Sequence, residues 1–228
     1  MIQIGRMALT CSDREHDVAA LRREFDRVHC IRIRQFLSAD LLQFVQEGIA
    51  RADFLERDHS GIGIEQCMVE NEAIGVLHLL INDPHVLELL RQITGCESID
   101  GFSGRVYRMV PASGHFDSWH TDLTGTRMVG MSLNLSRGAY KGGLFQLRAM
   151  PSKQMLVEIA NTGEGDAIFF RIREDLAHRV SDVEGEVAKT AFAGWFTEEA
   201  EFASLFKTAS SHSPQSIGVP AALARRSA

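Results

Sequence analysis

The chain has 228 residues, 45% hydrophobic and 24% charged, and its 24 Lys+Arg against 30 Asp+Glu leave a net charge of -6. These proportions exclude a disordered chain, a collagen-like fibre and a disulfide scaffold, and a domain of this size buries roughly 70–75% of its unfolded surface without staples. No basic block is visible for phosphate neutralisation and no apolar run reaches the ~18 residues of a membrane helix, so neither nucleic acid nor membrane is an expected partner. The opening MIQIGRMALTCSDREHD lacks the basic-then-apolar pattern of a secretory leader. Cys11, Cys30, Cys67 and Cys96 show no CxxC spacing and read as free thiols of a reducing, cytoplasmic compartment.

In chain order, Val18, Leu21, Phe25 and Val28 recur at helical spacing and predict a helix over about 15–28. Ile31 and Ile33 alternate with Arg32 and Arg34, as in a short half-buried strand. Ser38 is placed to cap a second helix with Leu41, Leu42, Val45 and Ile49 on one face. The stretch 57–63, RDHSGIG, reads as a loop. Helix signals resume over 72–81. Asp83 and Pro84 then start a helix that runs to Thr94 and stops at Gly95.

Beyond Ser98 the pattern changes to short β-branched and aromatic segments separated by turns: 103–110, 127–135, 143–149, 154–160, 166–171, 178–183 and 187–196. Many short strands at this spacing predict a sandwich or jelly roll. The expected fold is α+β in one domain over 1–206, with helical support at 12–95 buttressing a jelly-roll core at 98–196. Thr197 is expected to cap a last short helix to about Phe206, and the tail 207–228 reads as disordered.

The chemistry-bearing motif is His120-Thr121-Asp122, between two expected strands, with His178 far downstream at the start of another. In an extended segment residues i and i+2 point the same way, so His120 and Asp122 would face one side, and a jelly roll could bring His178 opposite. Two histidines and a carboxylate on one face of a metal leave positions open, the arrangement of non-heme Fe(II) oxygenases, and the lack of thiolates argues against structural zinc. The motif alone is weak, since nine histidines and 30 acids in 228 residues give ~1.2 HxD/E matches by chance. The chain holds two, the other being His115-Phe116-Asp117.

The run WHTDLTGTRMVGMSLNLS, followed by KGGLFQLR, GDAIFF, HRV and KTAFAGWF, resembles the 2-oxoglutarate- and Fe(II)-dependent dioxygenase superfamily on its prolyl 4-hydroxylase-like branch. Arg127, the Leu133–Ser136 stretch, Gly142-Gly143, His178-Arg179-Val180, Lys189 and Trp195 match that pattern in order. The resemblance covers the C-terminal half in its motifs and the N-terminal half in outline. It implies a double-stranded β-helix fold, with His120, Asp122 and His178 as iron ligands. It also implies Lys189 as partner of the distal carboxylate of 2-oxoglutarate and Tyr107 as a hydrogen-bond donor to that co-substrate. Asn134, in an otherwise apolar strand, either contacts co-substrate or is a satisfied core amide.

The implied reaction uses Fe(II), 2-oxoglutarate and O2, releases succinate and CO2, and hydroxylates an aliphatic C–H, with an amino acid in a peptide or on a carrier as the expected substrate. Halogenating relatives lack the carboxylate ligand, so Asp122 favours hydroxylation. Measured from Tyr107, the pair His115/Asp117 fits the family spacing better; measured back from Arg127, His120/Asp122 does, and Trp119-His120 resembles the W-H-x-D of relatives. Arg105 would share a face with Tyr107, while Gln146 and Arg148 read as a solvated strand face. The loop 57–66 and the segment 72–81 are the expected substrate lid. The alternative is a cupin-like metal protein, an isomerase, hydrolase or sensor, with no use for Lys189 at its step before Trp195.

Overall fold

The computed structural model describes residues 2–6, 9–11, 14–69 and 71–198; the helix expected after Thr197 and the tail 207–228 lie outside them. The N-terminal half carries β1 (Ile2–Ile4), β2 (Leu9–Cys11), α1 (Arg14–Val28), β3 (Cys30–Ile33), α2 (Ala39–Ala50), β4 (Phe54–Asp58), β5 (Gly63–Met68), α3 (Glu72–Ile81) and α4 (Pro84–Thr94). Among the described residues from 101 onward the regular elements are strands: β6 (Gly101–Met109), β7 (Phe116–Asp117), β8 (Arg127–Asn134), β9 (Lys141–Gly142), β10 (Phe145–Ala149), β11 (Met155–Ile159), β12 (Ala167–Arg171), β13 (Leu176–Val180), β14 (Val183–Glu184) and β15 (Lys189–Thr197).

The helix ends follow local chemistry. Asn71 accepts from the Ala73 and Ile74 amides to open α3. Asp83 accepts from the His85 amide to open α4, whose first position is Pro84, and Gly95 ends it at φ 69. Ser38 stands at the start of α2, but its hydroxyl donates to Asp40 rather than capping a backbone amide.

The major sheet has the order β3-β12-β8-β15-β6-β5-β4, with β7 added beside β5, and a smaller sheet β11-β10-β13 faces it. Every strand pair is antiparallel. The architecture is therefore α+β, a curled antiparallel half-barrel of the double-stranded β-helix kind with helices from the N-terminal half. That half gives more than helical support, because β3 extends one edge of the major sheet and the β4–β5 hairpin the other. The hairpin takes in both ends of the stretch 57–63 expected as a loop, leaving 59–62 at its tip. Its residues lack clear alternation, and β6 supplies the pairing that makes them strands.

The period-2 alternation of β6 and β15 decides what faces what. Phe102, Val106, Phe192 and Phe196 point into the layer shared with α1–α4, alongside Phe25, Leu41, Leu77 and Leu90. Phe102 lies 5.3 Å from Phe192 and 4.8 Å from Phe196 between ring centroids. Burying rings of this kind contributes ~1.5–3 kcal/mol each. The intervening residues Arg105, Tyr107, Ala193 and Trp195 face the concave side, where a cavity opens between the two sheets.

Candidate active site

The cavity has a volume of about 480 Å³, and His120, Asp122 and His178 share its wall with Tyr107, Asp117 and Trp195. His178 comes from β13, whose neighbour β10 pairs Leu147 with it. His120 forms a single antiparallel bridge to His178, each backbone N–H donating to the other's carbonyl. Segment 121–126 is not a strand, so the pleat does not put Asp122 beside His120. A left-handed turn does: Asp122 has φ 57, a conformation Asp tolerates, and its carboxylate folds back against both imidazoles.

The resulting geometry suits one cation. His120 Nε2 lies 3.5 Å from Asp122 Oδ1, and His178 Nε2 lies 3.3 Å from Asp122 Oδ2. One donor atom from each of the three residues falls within 4.8 Å of the others. His120 Nδ1 donates to the Ser118 carbonyl at 2.7 Å, which turns Nε2 toward the cluster, where a metal would take the place of its proton. Trp195 Nε1 donates to Asp122 Oδ2 at 2.6 Å and fixes the carboxylate plane.

Electrostatics agree with the geometry. Burial pushes the Asp122 carboxyl up, but hydrogen bonds from His120 and His178 outweigh it and hold the group well below the usual carboxylate range. Burial alone would lower His120, yet Asp122 and Asp117 raise it to about 9. Burial lowers His178. The cluster thus calls for positive charge at its centre, which a divalent metal supplies more fully than a proton.

Tyr107 lines the cavity, and burial pushes its hydroxyl well above the ordinary value, so it stays protonated and can donate to a ligand. Lys189 pairs with Met109 on the same face, one step beyond the Ala191–Tyr107 pair. Its ammonium is buried, donates to the Gly143 carbonyl at 3.2 Å and has no carboxylate within ion-pair distance among the described residues. A buried cation without an anion is costly, so the position fits an anionic ligand. Asn134 differs. Its amide donates to the Gly163 carbonyl and accepts from the Ser136 amide, so it tethers two loops rather than facing the cavity. These bonds fit the satisfied core amide of the two readings of Asn134.

His115 and Asp117 do not form a second cluster. His115 Nδ1 accepts from the Val110 amide, and the ring is sealed inside its own loop. Asp117 lines the cavity, accepts from the Val180 amide at 2.7 Å and stands 3.4 Å from His120 Nδ1, so it steadies His120. Two further expectations are corrected. Helix α3 packs on the convex side, with His78 against the Gly104 carbonyl and the Phe192 ring, and cannot cover the cavity. Gln146 is buried between Arg179 and Glu158, and Arg148 lies over the Trp119 ring, so their face carries a polar network rather than bare solvated side chains.

Sequence reasoning missed one group altogether. Glu65 on β5 receives Arg105 at 2.6 Å and His59 at 3.0 Å on the cavity wall. Nothing in the linear pattern links residues 40 positions apart. Reading 54–68 as a hairpin would have placed Glu65 beside β6.

A jelly-roll core that brings two histidines and one carboxylate together on the wall of a cavity defines the class of non-heme metal oxygenase folds. Residues 104–197 match the family described as the 2OG-Fe(II) oxygenase superfamily. The strand-rich half of the chain is a domain of that superfamily, an enzyme with a candidate His-Asp-His iron site, and the family implies Fe(II) and 2-oxoglutarate. This sets aside the cupin-like alternative. No curated protein sequence matches the chain.

Among solved structures, a Pseudomonas putida prolyl-4-hydroxylase superposes with a TM-score of 0.62 at 19% identity, covering 80% of this chain and 99% of that one. A Trichoplax adhaerens prolyl hydroxylase in complex with a hypoxia inducible factor peptide fragment gives 0.58 at 16% identity, covering 81% and 90%. The alpha-ketoglutarate-dependent epimerase SnoN from nogalamycin biosynthesis gives 0.59 at 13% identity, covering 80% and 83%. These likenesses show the shared fold.

Proposed function

We propose that this chain is a hydroxylase that couples oxidative decarboxylation of 2-oxoglutarate, to succinate and CO2, with oxygen insertion into an aliphatic C–H of an amino acid held in a peptide or on a carrier. The observation that carries this reading is a His-Asp-His donor set in one barrel with a buried ammonium, Lys189, that has no carboxylate of its own. His120, Asp122 and His178 would hold Fe(II), and the bound metal supplies the activation of O2. Three protein ligands, one a carboxylate, leave places for a chelating 2-oxo acid and O2 and favour hydroxylation over halogenation. Lys189 receives the distal carboxylate of 2-oxoglutarate, and the protonated Tyr107 hydroxyl donates to the same co-substrate. Trp195 and the Ser118 carbonyl hold Asp122 and His120 in the ligating orientation. The fold shared with two prolyl hydroxylases supports an amino-acid substrate.

The test is an anaerobic titration of Fe(II) and 2-oxoglutarate, following the visible charge-transfer band of the chelate in the wild type, His120→Ala and His115→Ala. The expected result is a band in the wild type and His115→Ala and none in His120→Ala. A wild-type protein that binds metal but develops no band would sink the 2-oxoglutarate reading. A band that survives in His120→Ala and disappears in His115→Ala would move the ligand set to the upstream pair. With substrate in hand, a product that gains one oxygen supports hydroxylation, and a product of unchanged mass would move the reading toward epimerisation.

A further inference from the structure

The concave face carries more guanidinium charge than the proposed reaction uses. Arg57 and Glu65 face each other directly across the β4–β5 hairpin, and both line the cavity. Directly opposed side chains have Cβ atoms ~5 Å apart, close enough to pair. No ion pair joins them; Glu65 Oε1 instead accepts from Arg105, through Nε at 2.8 Å and Nη2 at 2.6 Å. Arg105 is thereby fixed on the wall, 5.8 Å from the Trp195 ring, and Trp195 has Arg127 stacked on it at 3.5 Å. Arg57 points into the same space with no carboxylate partner among the described residues. The wall therefore runs Arg57, Glu65, Arg105, Trp195, Arg127; Glu65 takes Arg105, Asp122 lies 3.8 Å from Arg127, and Arg57 is left without a carboxylate among the described residues.

Two other occupants fail on the same geometry. A second metal on His59, Glu65 and Cys67 has donors within reach, but Arg105 Nη2 sits 2.6 Å from Glu65 Oε1 and 3.3 Å from His59 Nε2, placing positive charge where the ion would go. The 2-oxoglutarate anchored at Lys189 does not reach Arg105 either. Arg105 pairs with Ala193, four residues along β15 from Lys189, which is ~13 Å along a strand, and the two side chains are committed in different directions.

We propose that this stripe is the substrate-recognition site and that the substrate carries a carboxylate, received by Arg57 and Arg105, with Glu65 acting as the positioning residue that holds the Arg105 guanidinium in place. The inference deepens the hydroxylase reading and rests on it. Among the substrates of that reading it favours an amino acid that keeps a free carboxylate, as the last residue of a peptide does, over an internal residue or one linked to a carrier through its carboxyl group. Inside a cavity with apolar walls, two converging guanidinium groups discriminate against the uncharged isostere through charge and paired geometry together.

The test uses the full chain loaded with Mn(II) and 2-oxoglutarate under anaerobic conditions. The probes are N-acetyl-L-leucine and N-acetyl-L-proline beside the corresponding carboxamides, with binding read by saturation-transfer NMR and calorimetry. At least one free acid is expected to bind more tightly than its amide by roughly tenfold or more. Arg57→Met, an exposed position whose loss does not threaten the fold, and Arg105→Lys, which keeps the charge but not the fork, are each expected to weaken the acid by a similar factor and leave the amide unchanged. Glu65→Gln is expected to shift acid binding through Arg105 without contacting the probe, and Glu65→Asp to restore part of it. Equal binding of acids and amides, no binding of either acid, or acid binding indifferent to Arg57 and Arg105 would each overturn the proposal. Failure of the underlying reading shows separately, as a wild-type protein without the Fe(II)–2-oxoglutarate band.

Discussion

Replacing Lys189 with methionine separates what this lysine costs the fold from what it does for a ligand. The side chain is 2% exposed and its ammonium donates to a single carbonyl, that of Gly143. Burial pulls its pKa down from 10.5 to about 8, against the opposing influence of Asp117 and Glu65. At ~1.36 kcal/mol per pH unit, keeping the charge at neutral pH costs the folded state on the order of 3 kcal/mol. Because the folded-state value is the lower one, this cost is fully present below pH 8 and is relieved as the pH rises from about 8 to 10.5, where the unfolded chain binds more protons.

Methionine fills a similar volume without charge and gives up the bond to Gly143, worth about 1 kcal/mol. The ligand-free variant should therefore gain ~2 kcal/mol, or ~4–8 °C in Tm for a chain of this length. Its affinity for 2-oxoglutarate should fall roughly tenfold or more, since an ionic hydrogen bond is lost. Calorimetry at neutral and alkaline pH, with 2-oxoglutarate titrations of the Mn(II) protein, reads both effects. Wild-type affinity should decline as the pH passes about 8, and the variant should show no such decline. A lower Tm in Lys189→Met at neutral pH, or undiminished 2-oxoglutarate affinity, would refute the reasoning.

Other positions give separate expectations. Trp195→Phe removes the indole donor to Asp122 and should weaken Co(II) or Fe(II) binding ~10-fold or more, read from the metal titration; equal affinity would show that the carboxylate needs no such support. A Cβ at Gly130 would collide with the Cζ edge of the Phe170 ring, whose centroid lies 4.4 Å from that of His178. Gly130→Ala should therefore cost ~1–3 kcal/mol in denaturant unfolding and weaken metal binding, with Phe170→Leu recovering part of both. Asn134→Ala should lower the Tm through its two lost loop bonds while 2-oxoglutarate affinity stays the same, and a matching loss of affinity would return Asn134 to the co-substrate site.

Local signals carried much of the architecture. The Asn-Asp-Pro turn, the helical spacing on α1 and α2 and the Gly95 stop are short-range chemistry, and the structure keeps them because their partners lie within one turn of helix. The strands β6, β8 and β15 were likewise readable, as short β-branched and aromatic segments bounded by turns. The hairpin β4–β5 was not. Its residues are mostly half-exposed at the sheet edge, so hydrophobic patterning is weak there and long-range pairing with β6 decides its state.

The residue types of the candidate site, His120, Asp122, His178, Lys189 and Tyr107, stand in the chain in an order that the sequence alone determines, because metal and carboxylate chemistry narrows the side chains that can serve. Their convergence belongs to the fold. A left-handed turn at Asp122 replaces the expected pleat, and the Trp195 indole that locks the carboxylate comes from 73 residues away. The two HxD pairs are equivalent by composition and fit opposite spacings, from Tyr107 or from Arg127; the fold adds the bridge between His120 and His178, with His115 turned into its own loop. Asn134 and the Arg57–Glu65–Arg105 wall show the same division. Identity sets which hydrogen bonds and charges a side chain can offer, and non-local strand register sets which partners are near enough to take them.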